Sequence, residues 1–351
     1  MARGLANREP LEFRPLVASG AGTAQLLPSQ RRGRPAAHAL PRRGGPTVVP
    51  PIGLTAHGAS GPDYVELHAK SFHSFGLGAS HGHELLSRAR ALGMTALAMT
   101  DTNLCGALEF ARLGQSLEIQ PITGGELTLA DESRVTLLAK TRAGYANLSR
   151  LFTLANEADR REPRLDPARL PEHAEGLILL AGGRHGALSR LAINGSQVEA
   201  RCLLHRYRDW YGADSVYVEL QQNLRREDAG RNHELAALAR RCDAPLVATN
   251  DVHYHAPERF RLQHALVAAK RNTTIDQALR YIQPNHHQHL KSAEQMAELF
   301  REFPDALANT IRVAEQCRFN VAADLGYTLP EPVVPRGYTP ETYLRRLCEE
   351  A

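Results

Sequence analysis

The chain has 351 residues, 43% hydrophobic and 23% charged, with a formal net charge of +4. That length buries a core of one large or two ordinary domains, and the mildly basic balance permits a nucleic-acid partner without demanding one. No apolar run reaches the roughly 18 residues of a membrane span, and the five dispersed cysteines, which form no CxxC pair, argue against a disulfide framework or zinc ribbon and for a reducing cytoplasm.

Residues 1–62 are rich in Arg, Pro and Gly with no sustained apolar period, so they are expected to form a disordered basic tail. Within it, Arg31, Arg32, Gly33, Arg34 and Pro35 look like a minor-groove AT-hook, which gives an expectation of weak DNA contact through the tail. From Tyr64 onward the texture changes. "YVELHA", "TALAMTD", "IQPITGGELTL", "RVTLLAK", "GLILLAGG", "SVYVELQ" and "PLVATNDVHY" are short apolar runs that read as strands. Amphipathic stretches such as "GHELLSRARALG" and "RNHELAALARRCD" lie between them and read as helices. Repeated β-α units predict an α/β fold on a parallel sheet, open or closed into a barrel.

Five polar residues then share one position. His68, Asp101, Glu126, Asp251 and His253 each sit at or just beyond the C-terminal end of a predicted strand, the edge where such sheets assemble their sites. Imidazoles and carboxylates gathered there are the donor set of a divalent metal.

These strand ends, with "ALGMTALAMTDTNLCGALEF", "IQPITGGE" and "ATNDVHYHAPERFRLQHALVAAKRNTTIDQA", resemble the PHP (polymerase and histidinol phosphatase) domain of bacterial C-family DNA polymerase alpha subunits. The stretch 285–319 leans toward the error-prone, damage-tolerant branch. The resemblance implies a distorted (β/α)7 barrel over 63–320, with 321–351 as a linker towards a polymerase domain. It also implies a C-terminal face able to hold up to three divalent metals for phosphoester hydrolysis. It places ligands at His68, Glu126, Asp251 and His253, with Asp101 beside one.

Departures from the pattern are severe. Lys70, Leu77, Thr102, Arg134 and Gly183 stand where the family has ligands, and two of the five are cations aimed at a cation site. His73, His81, His83, His185 and His255 lie nearby and are read as ordinary loop histidines, His185 being the best spare ligand. "NHHQHL" is read as a solvated surface loop.

The expectation is therefore a degenerate site with no metal or one weakly bound Zn²⁺ or Mn²⁺, held by His68, Glu126 and Asp251 and opposed by Lys70. Lys70 is expected to pair with Glu126 or Asp251 instead. The partners implied are a polymerase domain and replication or repair proteins, and the family's catalytic palm lies beyond the last residues of this chain, so polymerisation by the chain alone is not expected. The alternatives are an active phosphoesterase or 3′-5′ exonuclease, and a DNA-binding accessory protein acting through the tail.

Overall fold

Each of the seven apolar runs becomes a strand: β1 (Glu66–Ala69), β2 (Ala96–Met99), β3 (Gln120–Thr128), β4 (Arg134–Ala139), β5 (Leu177–Gly182), β6 (Val216–Gln221) and β7 (Leu246–Thr249). The computed structural model describes residues 63–157, 159–326 and 332–350, so the basic tail and its arginines at 31, 32 and 34 lie outside the described residues. Helices α1 (Gly82–Ala91) and α2 (Ala107–Ser116) follow β1 and β2, α3 (Arg142–Ala155) follows β4, and α4 (Ala187–Ile193) and α5 (Gln197–Tyr211) follow β5. Then α6 (Asp228–Arg241) follows β6, and α7 (Phe260–Lys270), α8 (Ile275–Ala278), α9 (Ala293–Leu299), α10 (Pro304–Gln316) and α11 (Pro340–Glu350) follow β7.

The strands are hydrogen-bonded in chain order, β1 to β7. The expectation of an all-parallel sheet is corrected at β4, which runs antiparallel to both β3 and β5. Its cause is the short connection after β3, a turn closed by Leu129 N–H donating to the Ser133 carbonyl at 2.8 Å. Parallel neighbours need a crossover of about a dozen residues, and this link is far shorter. Arg134 therefore reaches the site face from the first residue of its strand, whereas β1, β3 and β7 reach it from or beyond their C-terminal halves.

The sheet curls until its ends meet. Asp251 adopts a left-handed backbone (φ 45°), which turns the chain after β7 back toward β1. Val252 N–H then donates to the His68 carbonyl and Lys70 N–H to the Val252 carbonyl, both at 2.8 Å. The result is a nearly closed seven-stranded barrel.

Two apolar layers hold it. Inside, Val65, Leu67, Ala98, Ile122, Leu138 and Leu180 fill the barrel, and Val313 and Ala314 of α10, with Cys317 just after it, plug its lower end. Outside, Leu97, Leu127, Leu137, Leu179 and Val218 face helix residues such as Leu85, Leu151 and Leu235. Along β1 the alternation slips once: Val65 and Leu67 belong to the inner layer, yet Ala69 belongs to the outer one. The pairing of β1 with β2 shifts register over the same residues. This irregularity sends both His68 and Lys70 into the barrel mouth.

Candidate functional site

Three ligand-type side chains converge at that mouth. His68 at the end of β1, Glu126 near the end of β3 and Asp251 after β7 bring one ligand atom each to within 4.8 Å of one another, and all three residues are buried. Among the described residues they are the only such group. The remaining two candidates are not members of that group. Asp101 sits in a cage of hydroxyls, accepting from Ser71 Oγ at 2.6 Å, Ser74 Oγ at 2.6 Å and the Ser71 N–H at 2.8 Å. His253 stands behind Asp251, with its Nε2 3.4 Å from Asp251 Oδ1.

Lys70 lies against all three residues. Its Nζ is 2.5 Å from Asp251 Oδ1, 3.0 Å from His68 Nε2 and 3.4 Å from Glu126 Oε2, and the side chain is fully buried. The second cation, Arg134, donates from Nη1 to the other oxygen of Glu126 at 3.0 Å. Each carboxylate of the cluster thus has a tethered cation in contact.

Electrostatics follow from this packing. Burial pushes the Asp251 and Glu126 carboxyls up, but Lys70 together with Arg134 and His68 at Glu126, and together with His253 and His68 at Asp251, outweighs it and holds both well below the usual carboxylate range. Burial pulls Lys70 down, and Asp251 and Glu126 overcome that to raise it. Burial and Lys70 likewise pull His68 down, yet Glu219 and Glu126 win and leave it at about 10.

Glu219, on β6, was not singled out from sequence. It accepts from His68 Nδ1 at 2.7 Å, Thr249 Oγ1 at 2.5 Å and Gln221 Nε2 at 3.1 Å. Together with Gln221 it also fills the space beside Gly183, where an added Cβ would fall 2.8 Å from Glu219 Oε2 and 2.9 Å from Gln221 Nε2. His185 lines the remaining cavity, which measures about 10 Å³. That is no larger than a single water requires.

The "NHHQHL" tract corrects another expectation, that of a solvated loop. Gln288 is 1% exposed; it donates to Asp251 Oδ2 at 2.9 Å, and its carbonyl accepts from His253 N–H at 2.8 Å. Leu290 N–H donates to the Tyr254 carbonyl at 3.1 Å, so the tract forms a wall of the site. A buried partner 37 residues from Asp251 leaves no local periodicity to detect.

Residues 66–223 match the family model for the PHP domain. The barrel, with a histidine and two acids gathered at one mouth, is of that class, and the chain carries a PHP domain. Its relatives are bacterial DNA polymerases. It is 37% identical over 303 residues to an error-prone DNA polymerase of Symbiobacterium thermophilum, covering 81% of this chain and 28% of the relative. A DNA polymerase III subunit alpha of Vibrio cholerae is 35% identical over 281 residues, covering 77% and 24% respectively. An error-prone DNA polymerase of Mycolicibacterium paratuberculosis is 35% identical over 319 residues, covering 87% and 29%. The chain therefore spans roughly a quarter of the length of these relatives, and both polymerase types are among them. No helix among the described residues is long and apolar enough to cross a membrane.

Proposed function

We propose that this chain is a non-hydrolytic PHP module of an error-prone DNA polymerase, a structural and interaction domain that works in the cytoplasm beside a polymerase domain in replication and damage-tolerant repair synthesis. One observation carries the reading: the Lys70 ammonium lies between His68, Glu126 and Asp251, at 2.5–3.4 Å from each. An ion ligated by all three would sit within a few ångströms of Nζ. At ~4 Å and an effective dielectric of ~20, a unit charge repels a divalent ion by roughly 8 kcal/mol. A micromolar site is worth only about 8 kcal/mol in total, so the repulsion cancels it. The donor set, taken with its two internal cations, does not fit a divalent metal, and no hydrolytic step is derived through one. His68, Glu126 and Asp251 serve instead as anchors for Lys70 and Arg134. Asp101 and His253 serve as local scaffold, the first tying the loop after β1 to β2 and the second backing Asp251.

The test is hydrolysis of a phosphomonoester and of a 3′-ended oligonucleotide by the purified chain in the presence of Mn²⁺. Turnover at the buffer rate, unchanged by Asp251→Asn, is expected. Manganese-dependent turnover that Asp251→Asn abolishes would restore the phosphoesterase reading.

A further inference from the structure

We infer that Lys70, supported by Arg134, is a tethered counter-ion that does in this barrel the structural work of a divalent ion, and that withdrawing its ammonium makes the fold depend on a divalent metal. This rests on the reading above but concerns stability, whereas that reading concerns hydrolysis.

Two tethered cations meet the two carboxylates of the cluster. Glu126 meets Lys70 at Oε2 and Arg134 at Oε1, while Asp251 meets Lys70 at Oδ1 and the uncharged Gln288 amide at Oδ2. Among the described residues the cationic or imidazole groups within 4 Å of Asp251 are Lys70, His68 and His253, and Lys70 is the nearest. Asp251 is 7% exposed and Glu126 6%, so water cannot take over as counter-charge.

Truncating the lysine head leaves Asp251 buried without a permanent cation in contact, the costly half of a broken pair. What else could neutralise it follows from the donors. The ligand atoms of His68, Glu126 and Asp251 lie within 4.8 Å of one another, and one imidazole with two carboxylates suits Mn²⁺ or Zn²⁺ once the Lys70 ammonium no longer lies among them, Arg134 holding only the outer oxygen of Glu126. The same three side chains therefore accept either a tethered cation or a diffusible one, but not both.

Thermal unfolding of the whole chain tests this, with wild type and Lys70→Met compared in chelator and in Mn²⁺. Methionine keeps the unbranched stem and removes the charge, and its thioether is a poor ligand for Mn²⁺. The wild-type midpoint is expected to be the same with and without Mn²⁺. Lys70→Met is expected to melt lower in chelator and to recover by about 5–10 °C in Mn²⁺ at roughly 100 times the dissociation constant. Adding Asp251→Asn to Lys70→Met should abolish the metal response. The inference is overturned if Mn²⁺ shifts both proteins equally, or if Lys70→Met matches wild type in chelator. Should Lys70→Met fail to fold, the double substitution decides: folding returns if the lysine serves as counter-ion, and does not if its bulk is what matters. Turnover in the wild type would sink the non-hydrolytic reading, and the melting comparison would still stand by itself, so the two failures are distinguishable.

Discussion

Asp251→Asn is expected to destabilise the chain by about 3–5 kcal/mol at neutral pH, because it leaves the buried Lys70 ammonium facing a neutral amide. Nothing else can fully replace the lost charge. Glu126, the other carboxylate in reach of Nζ, stands at 3.4 Å and is already shared with Arg134. The pH dependence has a definite sign. Lys70, with Arg134, His68 and His253, holds the Asp251 and Glu126 carboxyls well below their ordinary values against the opposing effect of burial, so the stability they contribute is fully present above the unfolded value near pH 4 and is lost as pH falls through the folded values. Urea denaturation of wild type and Asp251→Asn across a pH series checks both statements. The gap between the two curves should be widest at neutral pH and narrow in acid. A neutral-pH gap below about 1 kcal/mol would place the pair among ordinary surface contacts and remove its structural role.

Asp228→Ala is expected to cost a similar 3–5 kcal/mol, through a second buried network that holds the chain after β6. Asp228 is fully buried, with its Oδ1 2.8 Å from Arg231 Nη2 and 2.6 Å from Arg184 Nη2. Its Oδ2 accepts the N–H groups of Asn223 at 2.8 Å and Arg225 at 3.1 Å. Alanine would strand the almost wholly enclosed Arg231 guanidinium and two backbone donors, and would leave Arg184 with Glu227 as its remaining carboxylate. Arg231 Nη2 also donates to the Gln221 carbonyl at 2.7 Å, and the Gln221 side chain touches Glu219, the partner of His68. Damage here should therefore reach the mouth. The measurement is again urea denaturation; a loss below about 1 kcal/mol would mean that water or a shifted side chain satisfies these groups.

Much of the fold was legible because the strands are short apolar runs, and a run such as "GLILLAGG" has few alternatives between polar helices. The direction of β4 was legible too, in the link 129–133, which is too short for a crossover; the repeated β-α texture masked it. Lys70 and Arg134 were visible as cations where a metal site needs ligands, and Lys70 does meet both Asp251 and Glu126. Glu219 was hidden for a physical reason. An acid in a strand usually faces solvent, and only closure of the sheet puts this one inside, against His68. Gln288 was hidden by distance, since the tract that carries it is polar and reads as exposed until the barrel mouth receives it.

If internal cations occupy the metal's place, calorimetric titration of Zn²⁺ and Mn²⁺ into the chelator-treated whole chain at neutral pH will find that place closed. No site tighter than micromolar is expected for either ion in the wild type. Two or more ions bound per chain, or a single tight ion lost on Asp251→Asn, would contradict it.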